Sequence, residues 1–327
     1  MTDKAAQTTT FNDGIIAIDT EYARSRQDAS HLIIEGGRAA FVDTGVNSSV
    51  PLLVDALQQN NLDVADVDFV FLTHVHLDHA GGAGLLMQQL PNARCVVHQF
   101  GAPHMIDPTK LVAGTQAVYG AEKTAAIYGD IVPIDEQRMV VPDDGQWIEL
   151  HGRPMQTIHT EGHARHHYVL HDPQSKSVFS GDSFGVSYRE LDTARGEIVF
   201  PTTTPVQFDP GQAHIAADRI MACEPEQVFL THYSRVGNLQ RLASEMHAGI
   251  DAYVAMAREH AENADRATAI RESMFEYYLR RLAEHGYAGD RETAWSVLSI
   301  DVDLNTQGLE FWLDKHVTKR HWSRQEP

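Results

Sequence analysis

Thiols are almost absent from this chain of 327 residues. Its two cysteines, Cys95 and Cys223, each stand alone in apolar surroundings, with no CxxC or paired spacing. That excludes a disulfide framework and leaves no thiolate cluster for a soft metal; both are expected to be reduced core residues. Positive charge is scarce as well: 26 Lys plus Arg against 45 Asp plus Glu give a formal net charge of -19. Such a surface repels polyanions, so neither nucleic acid nor an anionic membrane is an expected partner. No apolar run is long enough for a membrane span, and no repeat is visible. Met1 to Asn12 is polar and lacks the apolar centre of a secretion signal, which makes the cytoplasm the expected address.

What the chain does have is concentrated in Asp68-Phe-Val-Phe-Leu72-Thr-His74-Val-His76-Leu-Asp78-His79-Ala-Gly-Gly82. An apolar run of strand length leads into three histidines and an aspartate, then a glycine pair. In an extended chain His74, His76 and Asp78 point to one side and His79 to the other. Imidazole and carboxylate are donors that zinc, iron and manganese all accept, and four of them so spaced suit two neighbouring ions.

Around this stretch, strands joined by turns are predicted over Gly14–Asp19 and His31–Gly45, with further strands at Asp68–Leu72 and Cys95–His98 and helices over Pro51–Gln59 and Gly84–Leu90. Phe100–Tyr128 is expected to be loop and helix flanking a cleft. Strand signals return at Ile131–Ile134, Trp147–Leu150, Met155–His159, Tyr168–His171, Ser177–Phe179 and Gln227–Leu230, the last preceded by a helix over Gly211–Met221. The alternation predicts an α/β protein of two sheets packed face to face and covered by helices. Three segments are expected: a flexible lead-in over 1–13, a main domain over 14–242, and a helical extension over 243–327. The stripe Met274, Tyr277, Tyr278 and Arg281 suggests core or the surface of a homodimer, and the basic tail from Lys315 a solvated face.

Three more stretches place a ligand just past a strand: Ile158-His-Thr-Glu-Gly-His163, Phe179-Ser-Gly-Asp182-Ser183 and Phe229-Leu-Thr-His232-Tyr233. Together with His74 to His79 they resemble, motif for motif and in order, the metallo-β-lactamase-fold hydrolase superfamily, in its glyoxalase II-like and lactonase-like branch. The resemblance spans Gly14 to Leu242 and implies a four-layer αβ/βα sandwich holding two divalent ions, zinc first, with iron or manganese as alternatives. It assigns His74, His76 and His163 to one ion and Asp78, His79 and His232 to the other, with Asp182 bridging them. Asp43 matches the early aspartate that braces the metal loop. Where many relatives carry prolines, this chain has His159-Thr-Glu-Gly-His163-Ala-Arg165-His166-His167, which alters the wall beside the metals.

The implied activity is hydrolysis of a small ester, thioester or lactone by a metal-held hydroxide, with Asp78 and Asp182 in the machinery and Tyr233 as a donor to substrate. Tyr188 is a second candidate donor. A phosphodiesterase or nuclease of the same fold and a di-iron oxidoreductase-type relative are the alternatives; the acidic charge disfavours the former and the complete ligand set the latter. Elemental analysis of the purified, reconstituted protein should return close to two first-row metal ions per chain. One ion or none would remove the binuclear reading.

Overall fold

A strand buried on both faces loses the alternation of apolar and polar residues, and Ile15–Asp19 and Ser177–Gly181 are such strands, with every residue buried, Asp19 and two serines included. The computed structural model describes residues 5–203 and 206–322, with side chains to residue 316. Among these, seven strands form one sheet in chain order: β1 (Thr8–Thr10), β2 (Ile15–Asp19), β3 (Ala29–Glu35), β4 (Arg38–Val42), β5 (Val67–Phe71), β6 (Arg94–Val96) and β7 (Met139–Val140). Pairing is antiparallel from β1 to β4 and parallel from β4 to β7. A second sheet has the order β13-β12-β11-β10-β9-β8. Its strands are β8 (Trp147–Leu150), β9 (Arg153–His159), β10 (Tyr168–Asp172), β11 (Ser177–Gly181), β12 (Gln227–Leu230) and β13 (Ser234–Val236). Only β11 and β12 pair in parallel.

The period of two along each strand builds the layers. On β4, Ala40 and Val42 join Phe71 and Val96 against Leu150, Tyr168, Phe179 and Phe229 of the second sheet. Ala39 and Phe41 face the other way, into a cluster with Leu53 and Leu57 of α1 (Val50–Gln59). The short α2 (Leu77–Ala80) and α3 (Ala83–Gln89) follow β5. Next come α4 (Ala102–Ile106), α5 (Thr109–Tyr119) and α6 (Ala121–Tyr128). The outer face of the second sheet packs Val178 and Val228 on Ile220 of α7 (Pro210–Ala222) and on Leu242 and Met246 of α8 (Leu239–Glu259). Two more helices follow among the described residues, α9 (Arg266–His285) and α10 (Arg291–Trp322). The result is the expected helix, sheet, sheet, helix sandwich, and no described helix is long and apolar enough to cross a membrane.

Several expectations need correction. The lead-in is not free: Thr8–Thr10 pairs with Ile16–Ile18, and the Ala6 amide donates to Asp55 at 2.7 Å. Its threonines are exposed or half-buried and give no apolar signal, because an edge strand is held by backbone pairing. Residues 1–4 lie outside the described residues, as do 323–327 of the basic tail. Ile131–Ile134 is not a strand; Ile134 is anchored instead by its amide to the Met105 carbonyl at 2.8 Å. The boundary expected at 242/243 falls inside α8, so the chain runs without a break into its C-terminal helices. Of the two readings of the α9 stripe, core is the one observed: Met274, Tyr277 and Tyr278 are interior, packed with Tyr253, Leu298 and Leu309.

Arg153 and Asp172 are fully buried and paired between β9 and β10 at 2.5 Å, with Arg153 Nη1 also donating to the Asp13 carbonyl. Replacing Arg153 by Met would strand the carboxylate without its cation, a loss expected at about 3–5 kcal/mol. Urea denaturation checks this, and a loss below about 1 kcal/mol would mean the site relaxes or hydrates.

Candidate metal centre

Ligand-bearing residues sit where parallel strands end, because strand ends leave backbone free to turn and side chains unpaired by the opposing layer. β4 ends into Asp43, β5 into Thr73–His79, β11 into Asp182 and β12 into Thr231–His232, while His163 comes from the turn between β9 and β10. The extended path after β5 lasts only to His76, which caps α2 with φ -63° and ψ 147°. Asp78 and His79 are therefore presented by a helical turn. The alternation expected from the sequence holds for His74 and His76 and fails for the next two residues, which is why His79 faces the centre with Asp78.

The donor atoms converge. His76 Nδ1 lies 2.8 Å from His74 Nε2 and 3.0 Å from His163 Nε2. Asp182 Oδ1 stands 3.2 Å from His79 Nε2 and 3.4 Å from His232 Nε2, and its Oδ2 is 3.4 Å from His163 Nε2. Asp78 Oδ2 is 3.7 Å from both His79 Nε2 and His232 Nε2. Three groupings among the described residues have the spacing to hold an ion: His74, His76 and His163; His74, His79 and Asp182; and Asp78, His79 and His232. Among the described residues, buried His79 Nε2 and Asp182 Oδ1 face each other as an ion pair without hydrogen-bond geometry. Buried donors left open in this way fit a metal ion, since an unsatisfied buried polar atom is otherwise costly.

The far nitrogens are held. His79 Nδ1 meets Asp43 Oδ2 at 2.9 Å, His232 Nδ1 meets Asp28 Oδ1 at 2.6 Å, His163 Nδ1 meets Thr202 Oγ1 at 2.5 Å, and His74 Nδ1 meets Thr73 Oγ1 at 3.2 Å. Such partners fix tautomer and ring angle. Asp43 sits at φ +57°, a region a non-glycine residue enters only when its surroundings hold it there. Its carboxylate accepts from the Thr73 amide at 2.8 Å and from the Thr73 and Thr231 hydroxyls, so the bracing role read from the sequence is the one observed. His167 accepts from the Asp182 amide at 3.2 Å, and Gly181, at φ +48°, could carry no Cβ without meeting His167 at 2.7 Å. Sequence reasoning missed Asp28 and Thr202. Neither belongs to a motif, and only the meeting of distant segments makes them partners of a ligand.

A cavity of about 530 Å³ opens over the donors. Tyr22, Tyr119, Tyr128, Leu111, Ile300 and Leu304 supply much of its wall, and His76, Asp78, Asp182 and His232 its floor. His166 lines it too, its ring parallel to that of His74 with centroids 6.1 Å apart. Tyr188 reaches the cavity, yet its hydroxyl already takes the Gln27 side-chain amide at 2.8 Å and donates to Asp301 at 3.2 Å. Tyr233 is not among the lining residues. Its ring is buried with Ala29, Tyr188 and Phe208, so the structure does not bring this expected donor to the site.

Burial lowers His74, His76 and His163 below their ordinary range, with neighbouring imidazoles adding to the effect, so all three are neutral at pH 7. Burial also acts to lower His79 and His232, but carboxylates outweigh it. Asp182 and Asp78 lift His79 well above its usual value, and Asp28 and Asp182 lift His232 to about 10. A metal needs the neutral ring, so binding through His79 and His232 at pH 7 must displace protons, whereas binding through His74, His76 and His163 displaces almost none. Zinc calorimetry in two buffers of different ionisation enthalpy should resolve one proton-releasing and one proton-neutral event. As pH falls, protons compete first at His79 and His232, so that ion should leave first; equal release from both would contradict the assignment.

Residues 25–232 match the family model described as the metallo-beta-lactamase superfamily. The chain is 28% identical over 185 residues to the metallo-beta-lactamase fold-containing protein ST1585 of Sulfurisphaera tokodaii, covering 53% of this chain and 65% of that protein. It is 26% identical over 186 residues to an acyl-coenzyme A thioesterase of Bos taurus, covering 53% of this chain and 64% of that one. With an N-acyl homoserine lactonase of Agrobacterium fabrum it shares 27% over 166 residues, 46% of this chain and 59% of that one. The matches span less than two thirds of each relative. The solved structure of ST1585 superposes with a TM-score of 0.63 at 21% identity, covering 91% of this chain and 98% of that one, a likeness of fold. With well over half its length inside the family model and the ligand motifs gathered at one centre, this chain belongs to the metallo-beta-lactamase superfamily.

Proposed function

We propose that the protein is a hydrolase of small esters, thioesters or lactones that works with two divalent ions, zinc first, with iron or manganese as alternatives. The observation that carries this reading is Asp182, whose Oδ1 faces His79 and His232 while its Oδ2 faces His163. A carboxylate so placed would hold both ions, one through each oxygen. When bound, metal ions supply Lewis acidity and a water acidified to near neutrality. The chain's own residues do the rest: Asp28, Asp43, Thr73 and Thr202 hold the imidazoles at fixed angles, and Asp78 completes one donor group. The aromatic and aliphatic walls of the cavity take up the organic part of a substrate and exclude bulk water.

An acyl substrate is favoured by that largely apolar wall and by the thioesterase and lactonase among the relatives. The charge of -19 weighs against a polyanionic phosphodiester. On this reading the partner is a small molecule, the address is the cytoplasm, and neither nucleic acid nor membrane takes part. A homodimer would have to use a face other than the α9 stripe.

A panel of ester, thioester, lactone, phosphodiester and β-lactam substrates tests the reaction class, and turnover confined to the phosphodiester would overturn it. In Asp182→Asn the amide is a poor bridge between dications, so the fold should persist while one ion is largely lost and turnover falls by about two orders of magnitude or more. Near-normal hydrolysis with both ions retained would end the bridged reading. His166→Ala should instead keep the metals and change the relative rates across the panel.

A further inference from the structure

The C-terminal helices reach the metal centre through a short segment, Pro201–Thr203. Asn305 on α10 is 1% exposed, and its side chain is committed to that segment. Its Oδ1 accepts from the Thr203 amide at 2.7 Å and from the Thr203 hydroxyl at 3.1 Å, and its Nδ2 donates to the Pro201 carbonyl at 3.3 Å. Nδ2 also donates to the Tyr278 hydroxyl at 2.9 Å, which is 2.7 Å from that of Tyr253; Tyr253 in turn donates to the Pro201 carbonyl at 3.2 Å. The Thr203 hydroxyl donates to the Asn305 carbonyl at 3.0 Å.

Two helix glycines tighten the same grip. A Cβ at Gly249 of α8 would lie 2.7 Å from the Pro201 ring, and one at Gly308 of α10 would run into the Thr203 carbonyl. Neither glycine has a positive φ, so close approach to the segment is what their small size serves here. Between these clamped residues stands Thr202, whose Oγ1 is 2.5 Å from His163 Nδ1. With Nε2 turned to the metal centre, His163 carries its proton on Nδ1 and donates it to that hydroxyl.

We propose that Asn305 is a positioning residue for the metal ligand His163, acting through Pro201–Thr203 and the Thr202 hydroxyl. This inference rests on the metal-dependent reading above. It gives Asn305 of the C-terminal helices a defined role, in which it holds a ligand of one ion and makes no contact with the other group, Asp78, His79 and His232. A tethered hydroxyl keeps the imidazole aimed at the ion; a loosened one lets it swing, and affinity falls.

The test is titration of zinc chloride into full-length, metal-free protein against a competing chelator. A His232→Ala background reads the ion at His74, His76 and His163 alone, and a His76→Ala background reads the other. Asn305→Ala should weaken the first ion roughly 10-fold or more and leave the second unchanged. Thr202→Val should do the same and Thr202→Ser should not. The double variant Asn305→Ala/Thr202→Val should be no weaker than Thr202→Val alone, because both changes lie on one path. If Asn305→Ala does not fold, Thr203→Val, which removes only the hydroxyl contacts with Asn305, is read in the same way and should give a smaller loss confined to the first ion. Equal weakening of both ions, unchanged affinity in a folded Asn305 or Thr203 variant, or additive losses in the double variant would overturn the proposal. A wild-type protein that takes up no zinc would sink the metal reading itself, whereas two tight ions with an unshifted Asn305→Ala would sink this inference alone.

Discussion

The carboxylate of Asp43 is the constraint on which the centre depends. It leaves the end of β4, accepts from the Thr73 amide and hydroxyl beyond β5, and takes the Thr231 hydroxyl from beyond β12 in the other sheet. It also holds His79 Nδ1. One fully buried anion thus ties the two sheets together at the edge where the donors gather. Burying such a charge is expensive unless every lone pair is used, and here four donated protons use them. The left-handed backbone at Asp43 is the geometric cost of aiming the carboxylate into this gap.

From that tie the centre is built outward in a consistent way. Four histidines of the centre carry a partner on the nitrogen turned away from the other donors, and two of the partners are buried carboxylates, Asp43 and Asp28. These, with Asp182 and Asp78, are what separate His79 and His232 from the other imidazoles in proton affinity. Two donor groups of unlike charge therefore face one another across Asp182. The histidine-only group is shaped by burial and the mixed group by carboxylates, so the two halves of the centre are electrostatically distinct although they share a wall.

The helices after β13 are part of this design. Ile300, Asp301 and Leu304 of α10 close one side of the cavity, and Tyr188, from the loop after β11, links Gln27 to Asp301. The opposite side is made by Tyr119 and Tyr128 from α5 and α6, with the Tyr22 and Tyr128 hydroxyls 2.9 Å apart. α5 has no fully buried residue, and it is held over the cavity by half-buried Leu111, packed toward Leu77 and Tyr128, and by Tyr119 against Tyr128. The cavity is thus walled by segments outside the two sheets, while its floor comes from strand ends.

Most strands and helices of the two sheets, the burial of Cys95, the seven donor residues that gather at the centre and the bracing position of Asp43 were legible in the amino-acid sequence. Each rests on local pattern: apolar runs, ligand types at strand ends, and spacing within a few residues. Tertiary structure alone decided the rest. It turned the chain into a helix at Leu77, so that His79 joins Asp78, and it buried the ring of Tyr233 away from the cavity. It put Asp28 behind His232 and Thr202 behind His163, pairs separated by long stretches of chain and marked by no motif. It also made the aromatic stripe of α9 interior and drew Thr8–Thr10 into a sheet edge. Local chemistry sets what a residue can do. Which residue stands behind which ligand depends on where separate segments meet, and that is fixed by packing of the whole.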